Sequence, residues 1–309
     1  MKKFLLKLLL FAVLFVTVDK TAGLVATYLF DHAKSGATEK NKYIASRTNE
    51  DLLIFGSSRG VHHYDPRILE DSLGISCYNC AYDGCGIITA YGLLVTLTEH
   101  YTPQAIIYDV MPNFDYLVDG EPNAKYLGPL KLLKLGGGGV KPEVDSIFIN
   151  ISPSEQWKMM SNMYKINSKL IQLITENLTE RNATISGYLP MNKKMLQEPE
   201  VKEKGLPTAI DEMKRYYLIR FVQLCKQKNI QLVFYASPSF RKTLDYQFDY
   251  IKELSHKEGI PFINHYCDTL FVWNRDYFYD SVHMNQIGAT AYSRIVASEM
   301  GLLLRNSRN

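Results

Sequence analysis

Net charge is scarce in this sequence: 35 Lys and Arg against 32 Asp and Glu leave +3 over 309 residues. So small an excess, with no basic stripe along the chain, argues against nucleic acid as a partner. Cysteine is sparse too, and odd in number: Cys77, Cys80, Cys85, Cys225 and Cys267. Cys77-x-x-Cys80, with Cys85 nearby, has metal or redox spacing, but no fourth ligand follows at a suitable distance. Buried or free thiols are expected, with one bridge available in an oxidising compartment. Four consecutive glycines, Gly136 to Gly139, lack the Lys-Ser/Thr that a phosphate-cradling loop requires, which leaves a flexible loop. Hydrophobic content of 46% and charged content of 22% are those of a folded chain with material for one large domain or two small ones.

Long apolar runs are confined to the start. Lys2, Lys3 and Lys7 precede or interrupt the run Phe4 to Val18, Asp19-Lys20 follows, and a second apolar stretch covers Leu24 to Phe30. A positive start before an apolar run reads as a secretory signal or a signal anchor. No A-x-A pattern closes the run, although Thr21-Ala22-Gly23 offers a cleavage site. The expectation for residues 1–30 is an uncleaved anchor, its positive end in the cytoplasm and the body outside, with a cleaved signal peptide as the alternative. Residues 31–50, polar and charged, are expected to form a connecting helix or stalk, and residues 51–309 the folded domain.

Within that domain, short apolar runs alternate with helical spacing. Strands are expected at Asp51 to Phe55, Ser76 to Tyr78, Ala105 to Asp109, Ile230 to Tyr235 and Pro261 to Asn264. Helices are expected from Pro66 to a C-cap at Gly74, from Ile87 to His100, from Asp211 to Lys228, from Phe248 to Glu258 and from Gln286 to Leu303. The alternation implies an α/β three-layer architecture with a mainly parallel, five-stranded sheet. Residues 114–206 break the rhythm. They carry an amphipathic stretch from Ser154 to Leu178 and a lysine-rich run from Asn192 to Lys204. A mostly helical insertion is expected there, placed to shape a cleft or lid. Asn150, Asn177 and Asn182 match the glycosylation acceptor pattern, at a frequency ordinary for this composition.

Two stretches carry chemistry. At Asp51-Leu-Leu-Ile-Phe-Gly-Ser-Ser-Arg-Gly60 a buried strand stops on glycine and presents hydroxyls at its carboxyl end. The glycine allows a sharp turn, and the backbone N–H groups that follow can face a developing oxyanion. An ordinary strand-to-helix turn with a serine N-cap would look the same. Near the C-terminus, Asp280-Ser-Val-His283 places a carboxylate where it can orient an imidazole and stabilise its protonated form. Either motif alone is weak; together they single out Ser58, Asp280 and His283. For Arg59 a solvent-facing or ion-paired role is expected, and for His62 and His63 a surface or capping one.

These residues resemble the SGNH/GDSL hydrolase superfamily. Gly56-Ser57-Ser58 stands where that family has Gly-Asp-Ser, and Asp280-x-x-His283 matches its C-terminal block. Asn79-Cys-Ala-Tyr-Asp-Gly84 resembles its second block, and Met111-Pro-Asn-Phe114 aligns loosely with its third. The departures are Ser57 in place of Asp, Ala81 at the first glycine of the second block, and a third block that keeps only its Asn. The resemblance covers residues 51–301 apart from the insertion and implies a flavodoxin-like three-layer α/β/α sandwich. It makes Ser58 the nucleophile, His283 the base and Asp280 its partner, with the Ser58 and Gly84 backbone N–H groups and the Asn113 side chain as oxyanion hole. Gly56-x-Ser58-x-Gly60 also spells the nucleophile elbow of α/β-hydrolases, but that elbow follows several strands and its acid and histidine come from separate loops.

The resemblance implies a serine-dependent esterase or O-acyltransferase that needs no cofactor or metal. Serine variants with an N-terminal anchor occur among envelope proteins that move acyl groups on cell-surface polymers, such as D-alanine transfer and alginate acetylation proteins. The expected substrate is a small-molecule or polysaccharide ester, with the membrane as one partner and an acyl-donor membrane protein as another. The expected location is the inner membrane, with the catalytic domain on the periplasmic side. The alternative is an eroded domain kept for envelope binding or assembly.

Overall fold

The computed structural model describes residues 1–135, 142–167, 169–179, 184–196, 209–241 and 245–306. Gly136 to Gly139, Asn182 and the lysine-rich run beyond residue 196 lie outside the described residues.

The chain begins with α1 (Lys2–His32) and α2 (Gly36–Ser46), then enters the strand-helix alternation: β1 (Leu52–Gly56), α3 (Ser58–His63), α4 (Pro66–Leu73), β2 (Cys77–Asn79), α5 (Ile87–Leu97) and β3 (Ala105–Asp109). The insertion follows as short helices: α6 (Pro112–Asp115), α7 (Gly128–Leu133), α8 (Pro142–Ile151), α9 (Pro153–Lys158), α10 (Asn162–Ile166) and α11 (Leu170–Leu178). The alternation resumes with α12 (Glu212–Gln227), β4 (Gln231–Ala236), α13 (Asp249–Glu258), β5 (Phe262–Asn264) and α14 (Gln286–Asn306).

All four strand pairings are parallel, in the order β2-β1-β3-β4-β5. This is the flavodoxin-like order, and in such sheets ligands sit beyond the carboxyl ends of the strands, where the order reverses between β1 and β3. Both faces of the sheet are apolar, as helices on both sides demand. Leu53, Phe55, Ile106, Tyr108 and Phe234 pack into one layer with α5 and α12. Leu52, Ile54, Ile107, Val233 and Tyr235 pack into the other with α4 and α14. The expected three-layer sandwich is therefore present. Cys77, Cys80, Cys85 and Cys225 are buried free thiols. Cys77 and Cys80 enter opposite core layers, so their x-x spacing makes no pair.

Of the two forms expected for residues 31–50, a connecting helix or a stalk, α2 is a helix, and it packs on the body. Thr38, Lys40, Asn41 and Ile44 of α2 are buried. Asn41 donates from Nδ2 to Pro129 O at 2.8 Å, and Lys40 donates from Nζ to Ala81 O at 2.6 Å and Gly187 O at 2.9 Å. The Glu176 carboxylate accepts the first N–H groups of α2 from Ala37 and Thr38, placing negative charge where the helix dipole favours it. Polar character hid this packing, because these polar groups are satisfied by carbonyls far along the chain.

The stretch Ser154 to Leu178 is three short helices rather than one long amphipathic one. Ser152 and Ser161 each accept a backbone N–H as an N-cap, restarting the helix. The breaks let the insertion wrap α1: Ile166 and Leu173 join Ala26 and Phe30 in a small core beside Leu132 and Leu135. One long apolar helix near the N-terminus thus packs its second half against the body, and its length and composition are compatible with a single membrane anchor.

Candidate active site

At the carboxyl end of β1, Gly56 lies opposite Asp109 of β3, with φ at +145°. A Cβ there would sit 2.8 Å from Asp109 O, so only glycine allows the two strands to run this close up to the turn. The turn delivers Ser57 and Ser58 to the start of α3. Ser57 is buried and donates from Oγ to Met111 Sδ at 3.3 Å. Ser58 is half-exposed, with Oγ 2.8 Å from His283 Nε2.

His283 comes from the loop before α14. Its Nδ1 lies 2.9 Å from Asp280 Oδ2 and 3.1 Å from Oδ1. A carboxylate only accepts, so the proton sits on Nδ1, and Nε2 is left to accept from the Ser58 hydroxyl. Asp280 Oδ1 also accepts the N–H groups of Val282 and His283, both at 2.8 Å. Burial pushes the Asp280 carboxyl up, but the His283 ring and these two N–H groups outweigh it and hold the group below the usual carboxylate range. The structure thus brings Ser58, His283 and Asp280 into one hydrogen-bonded line.

Gly84 occupies a turn closed by the bond from Cys85 N to Tyr82 O, with φ at +64°. His62, one turn along α3 from Ser58, ties that turn down: its Nε2 lies 2.9 Å from Asp83 Oδ1, and its Nδ1 lies 2.7 Å from Leu189 O. Burial pushes the Asp83 carboxyl up, but the contact with His62 outweighs it and keeps the acid ionised. The His62 ring packs edge-on to the His283 ring at 5.5 Å. Asn113 is on α6, beyond β3. Its carbonyl accepts from Lys214 Nζ, and its Oδ1 is buried with no hydrogen-bond partner. Among the described residues no hydrogen bond joins Asn113 to Ser58, Asp280 or His283.

Arg59 and His63 are not on the surface, contrary to expectation. Arg59 is only 2% exposed, and α3 starts so close to the sheet that residues 59, 62 and 63 all turn inward. Arg59 donates from Nε and Nη2 to Ser237 Oγ at 3.1 and 3.0 Å, with its guanidinium over the Tyr266 ring. The proton positions in this cluster follow from its partners. Met284 N–H donates to His63 Nε2 at 3.0 Å, so that nitrogen carries no proton and Nδ1–H donates to Ser237 Oγ at 2.9 Å. Ser237 passes its own proton to Asp109 Oδ2. Burial, reinforced by the Arg59 charge, holds His63 well below its usual range, which keeps it neutral.

Sequence reasoning missed this cluster. The one signal available was Ala236-Ser-Pro-Ser239 directly after β4, on the same edge of the sheet as Ser58.

Beside the Gly84 turn lies a cleft of about 490 Å³. Val61 of α3, Ala81 and Gly84 form one wall, and Lys40 of α2 with Lys169 and Gln172 of the insertion form the other. Burial pulls Lys40 down to about 8, against the opposing pull of Cys80 and Asp83. A wider depression of about 720 Å³ around Trp273 and Lys194 contains none of the residues of the Ser58 line.

No family model matches the chain, and no curated protein matches it. Among solved structures it is similar to a protein described as lipolytic, of the G-D-S-L family, from Desulfitobacterium hafniense DCB-2. That likeness has 8% identity and a TM-score of 0.41, over 80% of this chain and 98% of the other. It is also similar to a protein from Streptococcus pneumonia described as a platelet activating factor, at 14% identity and a TM-score of 0.34, over 95% of this chain and 98% of the other.

Proposed function

We propose that this chain is a serine-dependent ester hydrolase or O-acyltransferase of the SGNH/GDSL type. The observation that carries the reading is the line from Ser58 Oγ through His283 Nε2 and Nδ1 to the Asp280 carboxylate, set at the carboxyl end of β1. His283 takes the Ser58 proton as Oγ attacks an ester carbonyl, and Asp280 stabilises the imidazolium that forms. The tetrahedral oxyanion is met by backbone N–H groups at Ser58 and Gly84 and by the Asn113 side chain. A first-turn N–H such as that of Ser58 has no partner within its own helix. The C–O bond then breaks, and the leaving alcohol takes the proton from His283. This leaves an acyl group on Ser58. Water as the second nucleophile gives hydrolysis, and a sugar hydroxyl gives transfer.

The substrate class in this reading is an acylated, in particular acetylated, carbohydrate or other cell-envelope ester. The cleft beside Gly84 would receive it, with Lys40 and Gln172 as polar contacts. α1 anchors the chain in the inner membrane with the body on the periplasmic side, where a membrane partner would supply the acyl donor. A fluorophosphonate probe tests the core of the reading. Full-length protein should be labelled at Ser58 and should turn over p-nitrophenyl acetate, and Ser58→Ala should lose both. Turnover retained in Ser58→Ala would remove the nucleophile assignment. Failure of the wild type to label would favour an eroded binding or assembly protein.

A further inference from the structure

The freely exposed apolar run of α1, Phe4 to Val18, is too short for a bilayer by itself. At 1.5 Å per residue it covers about 22 Å, against a hydrocarbon core of about 30 Å. Closing that gap takes about five or six more residues, which draws the helix into the bilayer to the level of Leu24. That level is already occupied by protein. Asp19 accepts from Ser161 Oγ at 2.6 Å, from Met163 N at 3.0 Å and from Asn162 Nδ2 at 3.2 Å. Gly23, Ala26 and Phe30 face the insertion, while Leu24, Val25 and Tyr28 face outward. Sinking α1 therefore sinks the tip of the insertion with it.

The side chains at that tip suit such a position. Trp157 is 70% exposed and Met160 is 69% exposed, on either side of the α9 terminus, and Met163 beside Asp19 is also exposed. On α11, the next helix along α1, Ile171 and Leu178 are each 77% exposed. In water this is a costly set of neighbours; at a bilayer interface, Trp and large apolar side chains are what is enriched. The Asp19 carboxylate, which would otherwise be stranded at that depth, is covered by its three donors.

We propose that the α9–α10 tip and the outer face of α11 form a second membrane contact, a collar around α1 that lies in the interfacial layer of the bilayer. The collar rests on the reading of α1 as a span and goes beyond it, because a span alone leaves the body free of the lipid. α11 links the collar to the cleft beside Gly84: Gln172 and Glu176 of α11, with Lys169 just before it, line that cleft, while Ile171 and Leu178 turn outward. The cleft therefore opens one helix away from the lipid.

The sequence has two tryptophans, Trp157 and Trp273, and only the first belongs to the collar. Full-length wild type and Trp157→Phe are reconstituted into vesicles of phosphatidylcholine and phosphatidylglycerol. Each is prepared with plain lipid and with phosphatidylcholine brominated near the carbonyl end of its acyl chains, and flotation is measured on the same samples. The expected result is that both proteins float, that the emission of Trp157 (wild type minus Trp157→Phe) is blue-shifted and loses most of its intensity in brominated vesicles, and that Trp273 emission is unchanged. Flotation without quenching of Trp157 overturns the collar and leaves the span standing. Loss of flotation overturns both. Equal quenching of Trp273 overturns the collar too, because the contact would then not be specific to the insertion.

Discussion

His63 accepts the backbone N–H of Met284 at 3.0 Å, so the residue after His283 is held by a side chain from the helix that begins at Ser58. Ser58 and His283 are thereby registered to each other through a buried, neutral imidazole as well as through their direct bond. His63→Ala should lower kcat by up to about 10²-fold with KM little changed, the scale expected when a reacting group is displaced by about 1 Å. Stability should also fall, by about 1–3 kcal/mol, because Met284 N–H is left buried without a partner. Steady-state kinetics at matched folded fraction, set by thermal melts, checks this. An unchanged kcat would reduce His63 to a packing residue.

Asp280→Asn keeps the shape of the loop but offers an amide where the imidazole needs an acceptor. His283 would then turn its Nδ1 lone pair to the amide N–H and present a protonated Nε2 to Ser58. Turnover should drop by as much as about 10⁴-fold, with little effect on KM. Folding should survive, since Oδ1 can still accept the N–H groups of Val282 and His283. A mutant that keeps even a tenth of wild-type kcat would argue against Asp280 as the orienting acid.

Asn113 has a buried, unpartnered Oδ1 and no bond to the Ser58 line, so its place in the oxyanion hole is the assignment most exposed to test. If its amide meets the oxyanion, Asn113→Ala should cost about 10²–10³ in kcat and leave appreciable activity. Labelling of Ser58 by a fluorophosphonate should slow without being abolished. Kinetics indistinguishable from wild type would confine the hole to the backbone N–H groups of Ser58 and Gly84.

His265 ties the end of β5 to α14, with Nδ1 3.1 Å from Asp268 Oδ2 and Nε2 3.0 Å from Glu299 Oε1. Burial alone would pull its pKa down, but the two carboxylates outweigh burial and raise it above the usual 6.5. A raised folded-state pKa means the folded chain holds the proton more tightly than the unfolded chain. That stabilisation is complete below about pH 6.5 and is lost as pH climbs through the raised value. The melting temperature should therefore decline as pH rises above about 6.5, and His265→Gln should flatten the decline. An identical slope in the mutant would locate the titration elsewhere.

The strands were legible to within one residue because most are short, largely buried apolar runs bounded by polar turns, as Leu52–Gly56 and Ala105–Asp109 illustrate. Asp280 and His283 were legible because their bond is local, three residues apart. The pairing with Ser58 across 225 positions is not local and was legible only through the resemblance of both motifs to one family pattern. The Arg59–Ser237–Asp109 cluster had no such help: Ser237 lies 178 residues from Arg59 and 128 from Asp109, and each is unremarkable alone. The packing of α2 was hidden for the reverse reason. Lys40 and Asn41 are polar, yet they are buried against carbonyls of residues 81, 129 and 187, which no local pattern announces.

The junction between α1 and α2 has one more consequence. Lys42 Nζ reaches Ala33 O and Asp31 O, Ser35 Oγ reaches Thr179 O, and Lys34 N reaches Glu176 O, so the link between the two helices is clamped on several sides. An enzyme on a loose leash patrols a hemisphere and finds its own substrates. In the proposed reading this chain, mounted on α1 through a clamped link, would work at a single altitude. Its acceptors and donors would have to travel to Ser58, which favours molecules that diffuse in the plane of the membrane or polymers threaded past it over a catalyst that reaches outward into the wall.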